Sequence, residues 1–214
     1  TISVFNPNTG NQNFFIQRRV REVINNYRIK IDHSISSNNS ITGSYNYQKL
    51  FTLRDTFFGQ SGPSAGFGAG EELGNTRTVT LNDVHTFSPN VLNEFRFGFN
   101  SIEVGINNCG VGGACGNSAS FAQDLGIPNV NLGNYETSGT PGIFVENWGG
   151  GNGNMEWVGD GGPFRTKSDN MYFADTVTVI KGNMTTKFGG EMRVRKLNTI
   201  DGGRLGATKG VFIY

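Results

Sequence analysis

Cys109 and Cys115 are the only two thiols in the chain, and both lie in the glycine-rich run Asn107-Asn-Cys-Gly-Val-Gly-Gly-Ala-Cys-Gly116. Two thiolates fall short of the four ligands of a structural zinc site, and the spacing is not the C-x-x-C of a redox pair. A small disulfide loop is the expected chemistry, which would place the chain in an oxidising, non-cytoplasmic compartment; two unpaired loop thiols are the alternative. His33 and His85 could serve a serine hydrolase, but they occupy corresponding points of two similar segments and no Gly-x-Ser-x-Gly elbow accompanies them. Gly66-Phe-Gly-Ala-Gly70 lacks the lysine and hydroxyl residue of a phosphate loop. Gly159-Asp-Gly-Gly162 and Asp201-Gly-Gly203 lack the alternating acids of a calcium loop and read as solvated turns. No catalytic, cofactor or metal site is therefore expected, and the chain is not expected to be an enzyme.

The elements that carry these residues show in the composition. Only 16% of the 214 residues are charged, against about 25% in an average soluble domain, while 32 are glycine and 17 phenylalanine. A net charge of +1 gives no electrostatic footprint for nucleic acid. No run of about 18 apolar residues exists to form a membrane helix, and a β-barrel would leave none. Thr1 to Gly10 carry neither the basic nor the apolar region of a signal peptide, so the chain is expected to begin within a longer protein.

Period-2 alternation recurs in segments of about ten residues, the length of a tilted membrane strand. Tyr27, Ile29, Ile31, His33 and Ile35 alternate with Arg28, Lys30, Asp32 and Ser34; beyond the turn at Ser37 to Asn39, Ile41, Gly43, Tyr45 and Tyr47 alternate with polar residues. Val79 to Phe87, the turn Ser88-Pro-Asn90, and Phe95, Phe97 and Phe99 repeat the pattern. A third hairpin runs from about Asn170 through Lys181-Gly-Asn183, with Gly189 and Gly190 marking a bulge or a close backbone approach. Asp83 shares parity with apolar neighbours, so a bulge or parity switch is expected there. The connections Leu50 to Gly74, Gly105 to Ser168 and Thr199 to Lys209 read as long loops, all at the end opposite the turns, with a short helix within Ser118 to Leu125.

Four stretches taken together resemble the barrel of Oar-like TonB-dependent receptors: Asn25-Asn-Tyr-Arg-Ile-Lys-Ile-Asp-His-Ser-Ile-Ser36; His85-Thr-Phe-Ser-Pro-Asn-Val-Leu-Asn-Glu-Phe-Arg-Phe-Gly-Phe-Asn100; Leu125-Gly-Ile-Pro-Asn-Val130; and Gly182 through Lys187-Phe-Gly-Gly-Glu-Met-Arg193. The resemblance implies a large outer-membrane barrel closed by its own plug domain and energised through the TonB system. The chain has no TonB box and about seven readable strands, fewer than the smallest barrel needs. It reads as a leading segment, 1–24, followed by part of an all-β antiparallel barrel, 25–214. Arg28, Lys30, Glu94, Arg96, Lys187, Glu191 and Arg193 are the candidate lumen-facing residues. The expected partners are outer-membrane lipid, the plug, TonB and an extracellular ligand held by the long loops, which include Trp148 and Trp157.

A β-sandwich that binds carbohydrate or protein is the alternative. It would bury Ile29, Ile31, Phe95, Phe97 and Phe99 between two sheets, whereas a barrel leaves them on an outward band.

Overall fold

The structure, a computed structural model, describes residues 17–56, 70–116, 118–145, 156–202 and 209–213. Nine strands follow in chain order: β1 (Val20–Ser36), β2 (Asn39–Arg54), β3 (Gly70–Ser88), β4 (Val91–Asn107), β5 (Gly142–Val145), β6 (Glu156–Val158), β7 (Phe164–Lys181), β8 (Met184–Asp201) and β9 (Val211–Ile213). One four-residue helix, α1 (Phe121–Asp124), falls inside the stretch expected to hold it. Six long strands form an antiparallel sheet in the order β1-β2-β3-β4-β7-β8, and a second sheet has the order β6-β5-β9.

The three tight turns lie where turn chemistry placed them. In the first, Asn38 N–H donates to Ser36 Oγ (3.2 Å), and in the second Asn90 N–H donates to Ser88 Oγ (3.3 Å), so the echo between the two segments is a shared serine-nucleated turn. The third uses Gly182 at φ 59°, a left-handed position open to glycine. The turns also tie neighbouring hairpins together: Asn38 C=O accepts from Thr86 N–H (2.7 Å) and Asn90 C=O from Ile180 N–H (2.8 Å).

Directly paired residues share a face, so the register converts alternation into rows that cross the sheet. One row reads Ile31, Gly43, Leu81, Phe97, Phe173 and Met192, and the next Ile29, Tyr45, Val79, Phe99, Met171 and Val194. The opposite face carries Arg28, Asn46, Thr78, Asn100, Asn170 and Arg195, then Lys30, Ser44, Thr80, Gly98, Tyr172 and Arg193. No second sheet covers the apolar face among the described residues; Ile29 and Ile31 remain 61% and 64% exposed. Among the described residues the apolar rows thus form one exposed band, as expected of a barrel wall, and not the buried core of a sandwich.

Several expectations need correction. The strands of the large sheet run 16 to 19 residues, not about ten. They are six long and three short, not about seven. Accordingly β1 opens at Val20 rather than Asn25, β7 opens at Phe164 rather than Asn170, and the loops are shorter at both ends than Leu50 to Gly74 and Gly105 to Ser168. The physical reason is that a ladder satisfies backbone groups without any help from alternation. Where polar residues occupy both faces, as at Asn25, Lys49 and Asn75 on one side and Asn26, Gln48 and Thr76 on the other, pairing persists although parity carries no signal.

Asp83 is not at a bulge or a parity switch: it pairs in register with Ile41 and Phe95 and stays on the apolar face, while the irregularity falls at Thr86/Ser88, beside the turn. Asp175 joins the same row across Phe95, and Asn93 Nδ2 donates to its Oδ1 (2.5 Å). Gly189 and Gly190 stay within an unbroken ladder. Of the two alternatives there, close approach is the one realised, because a Cβ at Gly189 would collide with the Asp175 carbonyl oxygen.

Candidate functional site

All seven candidate lumen residues, Arg28, Lys30, Glu94, Arg96, Lys187, Glu191 and Arg193, lie on the polar face, in rows that the pairing makes continuous. They do not form one cluster. Lys30 pairs with Asp32 (2.8 Å), Arg96 with Glu94 (2.6 Å) and Arg193 with Glu191 (3.4 Å), each two residues apart along one strand. These are short-range exposed pairs that contribute little stability and leave a surface of alternating sign. Between them runs an uncharged ladder: Ser44 meets Thr80 Oγ1 at 2.6 Å, and Asn100 Nδ2 donates to Thr78 Oγ1 at 3.0 Å. Tyr172 pairs with Gly98, with Arg193 5.3 Å from the Tyr172 ring centroid, and a shallow depression of about 600 Å³ opens there.

At the loop end the strands carry a second structure, which we term the cap. It comprises residues 108–145, the stretch from 156 to β7, and the segment 209–213 that follows β8. Cys109 and Cys115 are joined in a disulfide with Cα atoms 4.9 Å apart, closing a turn that contains two glycines in the left-handed region. Asn131 is the hub. Its Oδ1 accepts from Ala122 N–H (2.9 Å) and Gln123 N–H (3.3 Å), and its Nδ2 donates to Thr137 C=O (2.7 Å) and Gly139 C=O (3.0 Å). A helix start leaves its first N–H groups without intrahelical partners. Ser120 makes no side-chain cap bond, and Asn131 takes over that role for α1. Asn134 caps the following 3-10 turn, Tyr135–Thr137, through Thr137 N–H at 2.9 Å.

The cap also joins two loops that are distant in sequence. β5 pairs antiparallel with β6 and parallel with β9, placing Ile143 opposite Phe212. Beside this sheet, Lys209 is buried and its Nζ donates to Gly162 C=O at 2.9 Å. Burial lowers the Lys209 ammonium to about 8, partly opposed by Asp160. Asp160 is itself fully buried, with Oδ2 accepting from Thr140 N–H at 2.8 Å. Its other neighbours are Gly110 and Gly139, where any Cβ would press on the carboxylate.

Gly159-Asp-Gly-Gly162 is thus a buried anchor and not the solvated turn expected of it. A buried carboxylate needs a donor, which the Thr140 amide supplies, while the Lys209 charge acts on it through space. Of Asp201-Gly-Gly203, Asp201 is exposed but ends β8 paired with Phe164, Gly202 is buried, and Gly203 lies outside the described residues, as do Gly66 to Ala69 and Trp148; Trp157 sits in β6.

Sequence reasoning passed over Asn131, Tyr135 and Lys209, and read Asp160 only as part of a solvated turn. Only their placement among glycines and asparagines distinguished them, and that pattern is shared by many loop residues. Tyr135 donates from its hydroxyl to Asn107 Oδ1, and burial raises its phenol above the ordinary tyrosine range.

All connections described run from the same end of the sheet: Arg54 leaves β2, Gly70 enters β3, Asn107 leaves β4, Phe164 enters β7 and Asp201 leaves β8 there, and the three tight turns sit at the other end. Against known proteins, residues 3–214 match the family described as outer membrane beta barrel domain. No curated protein and no solved structure matches the chain.

Proposed function

We propose, from the premise that this chain belongs to the outer membrane beta barrel domain family, that it is the barrel portion of a TonB-dependent, Oar-like receptor or transporter whose cap captures an extracellular ligand. The family places the chain in the outer membrane, with the apolar rows against lipid. Short turns then face the periplasm and the long loops the exterior.

The observation that carries the receptor reading is the joining of two separate loops into one folded unit, through the β5–β9 pairing and the Lys209 to Gly162 bond. A preorganised, disulfide-closed structure held at the mouth of a rigid wall loses little entropy on meeting a ligand. The polar face of the sheet, with amide and hydroxyl ladders and paired charges, suits contact with a plug domain. This reading includes no catalytic step and assigns the protein no enzymatic role.

The test uses the intact protein in its own membrane. Deleting residues 118–139 should remove the molecules that co-purify with it, as identified by mass spectrometry, while heat-modifiable migration shows that the barrel still inserts. Retention of the same bound molecules would move recognition to other parts of the receptor. Loss of TonB should leave binding intact and stop accumulation inside the cell; accumulation that continues without TonB would contradict the transport part.

A further inference from the structure

The outward face is not electrically uniform along its height. Immediately beyond the apolar rows towards the loops lies a row reading Tyr27, Tyr47, Arg77, Ser101, Asp169 and Lys196, and beyond it another reading Asn25, Lys49, Asn75, Glu103, Lys167 and Asn198. Two rows therefore hold four basic side chains. Their acids are already engaged: Glu103 accepts from Arg165 Nε (2.9 Å), and Asp169 accepts from Ser101 Oγ (2.6 Å). Among the described residues Lys49, Lys167 and Lys196 have no ion-pair partner, and Arg77 meets only the Tyr47 ring, 5.8 Å from its centroid. Towards the turns the outward face carries Asp83 and Asp175 instead, with Lys181 its one cation, at the turn itself.

We infer that Lys49 with Arg77, and Lys167 with Lys196, form two binding sites for the phosphate groups of outer-leaflet lipid headgroups. The depth is fixed by the rows. Tyr27 and Tyr47 stack with centroids 6.2 Å apart at the upper edge of the apolar band, the level where aromatic rings meet headgroups. The basic residues sit in the same row and the next, about 5 Å further out for a tilted strand. Lysine and arginine stems at that level lie along the apolar surface while their charges reach the headgroup layer. Each pair bridges adjacent strands at diagonal positions, so that two cations converge on one site. A phosphate accepts charge-assisted hydrogen bonds from both. Above the Arg77 side, the cap leans over the same outward face, where Tyr135 and Arg165 line a small cleft of about 130 Å³ with Asn75 and Glu103. A sugar-bearing headgroup would find amide, hydroxyl and carboxylate partners there.

The inference depends on the barrel's place in the outer membrane and not on ligand capture or TonB. Its test is lipid retention by the intact protein in detergent, read by native mass spectrometry with bis-phosphorylated lipid A as the probe. The wild type should retain lipid A, and the variant K49Q/R77Q/K167Q/K196Q should bind it at least tenfold more weakly while keeping heat-modifiable migration. A control neutralising equal charge inside, R28Q/K30Q/R193Q/R195Q, should retain lipid A as the wild type does. Lipid A stripped of both phosphates should bind the wild type as weakly as the outward variant binds the intact lipid. Equal retention by the outward variant, or equal loss in the inward control, would overturn the assignment. Should the outward variant fail to fold, the two paired variants K49Q/R77Q and K167Q/K196Q carry the test separately, each expected to lose one bound lipid. Displacement of lipid A by millimolar inorganic phosphate would overturn the lipid as the source.

Discussion

Within the six long strands, backbone groups between neighbouring strands meet partners that residue parity and register select, the outer edges of β1 and β8 excepted, whereas in the cap the partners are individual side chains reaching across the fold. The difference follows from the solvent. A bilayer offers no hydrogen bonds, so a spanning segment must close its ladder completely and present one apolar face. The cap lies in water and is stabilised by single anchors: Asn131 for four backbone groups, Asp160 for Thr140, Lys209 for Gly162. One region is insensitive to any single polar residue and intolerant of charge at the centre of its apolar rows. The other behaves in the reverse way.

The largest effect that sharpens this contrast is a charge at the centre of the apolar rows. Phe97 packs against Phe173 with ring centroids 5.1 Å apart. Phe97→Arg should lower barrel stability by about 2–4 kcal/mol, the cost of a basic side chain facing lipid near the midplane. Its sequence neighbour Arg96 lies on the other face, and Arg96→Gln should leave the midpoint of urea unfolding in lipid vesicles close to the wild-type value. Equal losses from the two changes would break the assignment of faces.

The second effect belongs to the cap alone and appears as a pH dependence. Lys209 titrates at about 8 when docked, against an ordinary value of 10.5. Between those values the undocked segment holds more protons than the docked one, so docking strengthens as pH rises from about 8 towards 10.5 and is flat outside that window. The shift corresponds to about 3 kcal/mol at most. Hydrogen exchange at Gly142, whose N–H donates to Gly210 C=O, reads the docking once corrected for intrinsic pH dependence. Lys209→Met should remove the slope; a slope that survives would assign it to another group.

The third is the disulfide. Replacing Cys109 and Cys115 by serine should cost the cap about 2 kcal/mol of local stability by the entropy of so short a loop. Unfolding of the strands should not change. Limited proteolysis within 108–141 against urea unfolding of the barrel separates the two; a lowered barrel midpoint would show that cap and sheet unfold together.

The same contrast explains what could be read in the residues. Tyr27 to Ile35, Ile41 to Tyr47 and Phe95 to Phe99 announced themselves because lipid imposes parity over that span, and the serine and glycine turns are local chemistry. Strand ends such as Val20, Arg54 and Phe164 did not, since both faces there meet water. The cap was illegible for a different reason: Lys209 and Gly162 are separated by 47 positions, and no local pattern marks which loop asparagine will become a hub. Asp83 shows the limit of parity itself. Its carboxylate is on the lipid-facing side although composition argued that it should leave, and the structure accommodates it by register and not by a bulge.

The smallest effect concerns two adjacent glycines of β8 that the sequence alone treats alike. Gly189 pairs with Thr176 and lies on the polar face; Gly190 pairs with Asp175 and lies on the lipid-facing side. At Gly189 a methyl group would meet the Asp175 carbonyl oxygen and the Thr176 Cα, backbone atoms that cannot swing aside. At Gly190 nothing lies within 4 Å. Gly189→Ala should therefore destabilise the barrel by about 1–3 kcal/mol, as overpacking does. Gly190→Ala should change stability by no more than about 0.5 kcal/mol. Restricting the unfolded chain would even favour the second variant slightly, because the strand conformation at Gly190 is open to alanine. Paired urea titrations in the same vesicles resolve the difference. If the two variants unfold together, the close approach of β7 and β8 at Asp175 is relieved by a backbone shift, and the ladder of the sheet is less rigid there than its unbroken register implies.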